Sequence, residues 1–136
     1  MILLGKKYIW TKHAEFKMKF WQLSESRVRR VIHSPLRVEE GIAPDTVAMM
    51  QPVSYKTKGG VRSWNQEIWV MVSKNQKEKN KNKDNKKERE NDKNKNSSVR
   101  IISAWRYPGV TKPRSEVSLA MLRSEYEDFA ENEKSD

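Results

Sequence analysis

Glu67-Ile68-Trp69-Val70-Met71-Val72-Ser73 is apolar on both parities, with Ile68, Val70 and Val72 alternating with Trp69 and Met71. Successive side chains of a strand point to opposite faces of a sheet, so this run predicts a central strand covered on each side. Three further β-like runs lie around it: Arg37 to Glu40, Thr46 to Gln51 and Ser98 to Arg106. Gly41, Pro44-Asp45, Pro52 and Gly59-Gly60 punctuate them as turn signals. The link from Pro52 to Asn65 is long and takes no assignment.

Upstream the apolar period changes. After a short extended piece at Tyr8-Ile9-Trp10, Thr11 is placed to cap a helix from Lys12 to Gln22, with Ala14, Met18 and Trp21 on one stripe. Phe16 and Phe20 make an adjoining stripe, and Lys12, Lys17 and Lys19 take the flanks. Leu23-Ser24 reads as a hydrophobic staple and N-cap for a second helix, Glu25 to His33, which buries Val28, Val31 and Ile32. Arg27, Arg29 and Arg30 fall on its other faces, and Pro35 stops it by disfavouring helical backbone at Ser34. At the other end of the chain, Ser115 to Ala130 carries Leu119, Leu122, Tyr126 and Phe129 on one stripe and ends acidic. This last helix is expected to pack on the sheet or on a partner, with its acidic end solvated; a sharper reading has it cover basic surface and restrain nucleic-acid binding. The pattern specifies one α+β domain over residues 1–112, followed by a C-terminal amphipathic helix and acidic tail over residues 113–136.

Composition narrows the function classes. The 136-residue chain carries a net charge of +10, half of it from a polar run, Lys74 to Asn96, with ten Lys/Arg and five Asp/Glu. That run has too few apolar side chains to fold and reads as a disordered insertion in a hairpin. Basicity of this size attracts nucleic acid. The chain has no cysteine, which excludes disulfides and thiolate chemistry. Met1-Ile2-Leu3-Leu4 is far shorter than the ~20 residues that span a bilayer, so a cytoplasmic protein with no membrane partner is expected. Phosphate-binding glycine loops, serine-nucleophile motifs and dinucleotide fingerprints are missing. Glu39-Glu40 with Asp45 does not read as a metal centre, because adjacent carboxylates on a strand point apart and no histidine joins them.

His13-Ala14-x-x-Lys17-Met18, the Leu23-Ser24 link, Val28-x-x-Val31-Ile32-x-x-Pro35 and Arg100-Ile101-Ile102-Ser103-Ala104 resemble BrnT-type toxins. They resemble still more closely an allied uncharacterised bacterial and phage domain family that opens on an HAxxRM helix; both lie in the RelE/ParE-like superfamily. The resemblance implies two N-terminal helices packed on one antiparallel sheet of about four strands, and a metal-free, cofactor-free endoribonuclease activity. It assigns His13 as general acid/base, with Lys17 and Arg106 as cations for the phosphorane. Trp105 stands where the toxins carry a second basic residue. Lys12, Lys19 and Arg100 are then nucleic-acid contacts, with Trp105 and Tyr107 as base-stacking rings beside Arg106. Strand alternation puts Arg100 and Arg106 on one face. The implied partners are RNA or the ribosome and an antitoxin encoded nearby. This reading requires His13 and Arg106 to share one exposed groove. The competing reading is a non-catalytic RNA- or protein-binding module, in which His13 simply packs at a helix start.

Overall fold

The computed structural model describes residues 7–40, 42–74 and 98–134. The expected insertion at 74–96 lies outside them from position 75 onward. Strand β1 (Lys7–Trp10) leads into helices α1 (Lys12–Trp21) and α2 (Glu25–His33), followed by β2 (Arg37–Glu40), β3 (Thr46–Pro52), β4 (Lys56–Lys58), β5 (Val61–Ser63), β6 (Glu67–Lys74), β7 (Ser98–Tyr107) and α3 (Glu116–Lys134).

The capping chemistry sets the helices. Thr11 Oγ1 accepts from the Ala14 N–H at 3.0 Å and donates to the Ile101 carbonyl at 2.7 Å, so the cap of α1 also pins it to β7. Gln22 adopts left-handed backbone (φ 57°), and the Leu23 N–H reaches the Met18 carbonyl at 2.8 Å. That pair ends α1 one residue earlier than the sequence suggests and turns the chain into α2. Ser24 Oγ caps α2 through the Arg27 N–H, while Leu23 and Val28 are buried in the same cluster.

The sheet has five strands in the order β1-β7-β6-β3-β2, all antiparallel except β1, which runs parallel to β7. The expected four strands gain a fifth because β1 enters α1 at once, leaving its edge free to pair with Ser98 to Ile101. As its two-sided pattern predicts, β6 is covered on both faces. One face packs Ile68, Val70 and Val72 against Ala14, Met18, Val28, Val31 and Ile32 of α1 and α2. The other packs Trp69 and Met71 with Trp105, Ile102 and Met50 against Leu122 and Phe129 of α3. Trp21 touches both clusters, so α1 sits astride the β7 edge.

A one-residue irregularity interrupts β7. Met71 pairs with Ser103 but Val72 pairs with Ile101, leaving Ile102 as the extra residue. A bulge reverses the alternation beyond it. Arg106 therefore reaches toward α1, donating to the Trp21 carbonyl at 2.8 Å, whereas Arg100 reaches α3, donating to Glu133 at 3.0 Å. The two arginines lie on opposite faces, contrary to the strict alternation expected.

The unassigned link folds into the β4–β5 ribbon. Gly59 and Gly60 both take positive φ (59° and 81°), which a tight two-residue hairpin turn requires. Every residue of the two ribbon strands is exposed. Beyond β7, Glu67 fastens the chain. It is fully buried and accepts four hydrogen bonds, from the indoles of Trp64 and Trp69 and from the N–H and hydroxyl of Thr111.

Candidate functional site

The cations singled out from the sequence fall into two groups. Helix α1 presents His13 and Lys17 one turn apart on the side facing α3. Lys17 donates to Glu125 at 3.2 Å, and both side chains are only about 15% exposed. Ser103 Oγ donates to the other Glu125 oxygen at 3.0 Å. Arg100 pairs with Glu133 and lies over the Phe129 ring at 5.3 Å.

His13 is buried, edge-on to Phe129 with ring centroids 6.1 Å apart. The Asn132 side-chain amide meets its Nδ1, and Nε2 is a buried atom with no hydrogen-bond partner among the described residues. Burial, then the charge of Lys17, pushes its pKa below the ordinary histidine value, and Asp128 and Glu133 offset this in part. The last turns of α3 thus occupy the surface that the resemblance assigns to catalysis, and each of His13, Lys17 and Arg100 already has a partner there.

Arg106 belongs to the second group. It meets α1 at its C-terminal end, donating to the carbonyls of Trp21 and Gln22. His13 is eight residues away along the helix, a rise of ~12 Å. The shared exposed groove is not present: His13 is sealed beneath α3 and Arg106 stands at the far end. Trp105 is also corrected. It is 2% exposed and stacked on Trp69 with the rings nearly parallel (6.2 Å, 6°), its cross-strand neighbour in the α3-side core. It offers no face to a base. Tyr107 is half-buried against the same core. Lys12 and Lys19 are exposed on α1.

No family model matches the chain, and neither a curated protein nor a solved structure does.

Around Arg106 lies a constellation that reading the sequence missed. Arg27 donates to Gln51 Oε1 at 2.6 Å and approaches the Pro52 carbonyl at 3.4 Å. Arg106 donates to Gln66 Oε1 at 3.3 Å. The Gln51 amide in turn donates to the carbonyls of Arg30 and Ser34. Burial, and next the like charges of Arg30 and Arg106, lower the Arg27 pKa, although a guanidinium stays protonated in water. Among the described residues, no carboxylate forms an ion pair with Arg27, Arg30 or Arg106. Neutral oxygens hold two of these guanidiniums, which orients their charge without cancelling it. The signal in the sequence was the Arg27/Arg30 spacing, three residues apart on α2.

Glu39 accepts from Arg37 at 3.2 Å and from Arg114 at 3.3 Å. No cluster of three or more histidine or carboxylate side chains suited to a metal ion occurs among the described residues. No helix there is long and apolar enough to cross a membrane.

Proposed function

We propose that this protein is an RNA-binding module of RelE/BrnT-like type that grips phosphates at the corner between α1 and α2. One observation carries the reading: Arg27, Arg30 and Arg106 gather three positive charges at that corner, the first and last held by neutral carbonyl and amide oxygens and none paired with an acid among the described residues. Guanidinium groups fixed in this way match phosphate oxygens geometrically and lose little conformational freedom on binding. Exposed Lys12 and Lys19 on α1 add long-range attraction. Cleavage is not part of the reading, because the imidazole is covered and far from the arginines. RNA, rather than another polyanion, is supported by the likeness of the helix pattern to BrnT-type toxins.

The test is titration of a labelled, unstructured RNA in chelator, followed by fluorescence anisotropy over a range of salt. The three corner contacts alone predict a log–log salt slope near −2, at roughly −0.7 per contact for single strands, and any further contact steepens it. Arg27→Gln with Arg30→Gln should weaken binding by roughly tenfold or more at fixed salt. Absence of binding at low salt, or indifference to the double substitution, would refute the proposal. Discrete cuts ending in cyclic phosphate would refute its non-catalytic part.

A further inference from the structure

The β4–β5 ribbon has no core to justify it. All of Lys56–Lys58 and Val61–Ser63 is exposed, and two-stranded ribbons are marginal by themselves. Its composition is one-sided: residues 53–66 contain Lys56, Lys58 and Arg62 and no Asp or Glu. Tyr55 is 49% exposed, and the Arg62 guanidinium lies 4.7 Å from its ring centroid.

The roots of the ribbon are gripped by the arginine corner. Val53 and Gln66 close its base through a 2.9 Å backbone hydrogen bond. Arg27 holds Gln51 and Pro52 just before that base, and Arg106 holds Gln66 within it. Corner and ribbon therefore form one continuous cationic track. Rings flank it at both ends: Tyr55 on the ribbon and Phe20, 66% exposed, at the last turn of α1 next to Trp21.

We infer that the ribbon is the second half of the RNA site and that the strand it takes is unpaired, with phosphates on Arg27, Arg30, Arg106 and Arg62 and a base stacked on Tyr55, which shares one face of the ribbon with Arg62. This rests on the RNA-binding reading above. Cations that follow a backbone serve paired and unpaired strands alike, but an exposed ring between them is useful only where bases have free faces. A duplex hides those faces.

The experiment compares a short unstructured RNA with the same sequence in a perfect duplex, using the full chain and its Tyr55→Ala, Tyr55→Phe and Arg62→Gln variants. The single strand should bind at least tenfold more tightly than the duplex. Tyr55→Ala should lose roughly 5- to 100-fold on the single strand, the range for one stacked base, and nothing on the duplex. Tyr55→Phe should retain binding. Arg62→Gln should flatten the salt slope by about 0.7. The ribbon packs on no core, so an unchanged thermal transition verifies that these variants fold. Equal affinity for both RNA forms, or a silent Tyr55→Ala while Arg27→Gln/Arg30→Gln still weakens binding, would overturn the ribbon's role and leave the corner standing. Failure of the unmodified protein to bind either form would sink the RNA reading itself.

Discussion

Lys17 and Arg100 on one side of α1, and Arg27, Arg30 and Arg106 at its end, are the same chemistry placed in opposite company. The first two face carboxylates from α3. The others face carbonyl and amide oxygens or bear no ion pair among the described residues. A cation matched to an acid is already spent on the fold, and binding an anion there must first break the match and desolvate it again. A cation held by a dipole keeps its full charge. The partner, more than the cation, decides which basic surface is available to a ligand.

The contrast can be broken by experiment. Phe129 lies against His13 and beneath Arg100 while sealing the α3-side core. Phe129→Ala should therefore cost about 3 kcal/mol of stability, as large-to-small core changes do, measured by urea unfolding. A loss under about 1 kcal/mol would mean that α3 is only loosely applied. Next in size, Glu125→Ala strands Lys17 and Ser103 in a poorly hydrated place and should cost about 2 kcal/mol. Arg30→Gln should stay within about 0.5 kcal/mol, because that residue makes no ion pair to lose. Equal costs at the two positions would erase the distinction between the regions.

The smallest effect concerns pH. Burial holds His13 below its ordinary pKa, so folding favours the neutral ring. That contribution is complete above the unfolded value of about 6.5 and is lost as pH falls through it, because the unfolded chain takes up the proton first. Melting temperatures followed from pH 7.5 to 5 should decline in the unmodified protein and decline less in His13→Asn. Parallel declines would show that His13 is not in the sealed environment described.

Much of the scaffold was legible in the sequence. Thr11 and Ser24 announce their caps, the two-sided apolar pattern of β6 announces a covered strand, and the Val28, Val31 and Ile32 stripe announces a buried face. The candidate site was less legible, for identifiable reasons. A bulge adds one residue without leaving a compositional mark, so the period-two count from Arg100 to Arg106 gave the wrong face. Trp105 looked available because it precedes a turn, but its cross-strand neighbour is another tryptophan, and two large rings on one face bury each other. The acidic end of α3 read most simply as solvated, since pairing with residues a hundred positions away leaves no local trace. Gly59-Gly60 marked a turn, yet ribbon strands with no apolar alternation could not be read beside it.

The parallel pairing of β1 with β7 bears on how the chain is made. The earliest described strand finds its only sheet neighbour some ninety positions later, and the Thr11 cap bonds across the same gap to Ile101. A growing polypeptide must therefore carry α1 out of the ribosome long before its main strand neighbour exists, and closure of such distant contacts is intrinsically slow. Until the final strand emerges, the cluster around Ala14 and Met18 lacks Val99, Ile101 and Ala104 and stays partly open to water and to other chains. Synthesis halted before residue 98 would leave an aggregation-prone fragment in place of a smaller working unit.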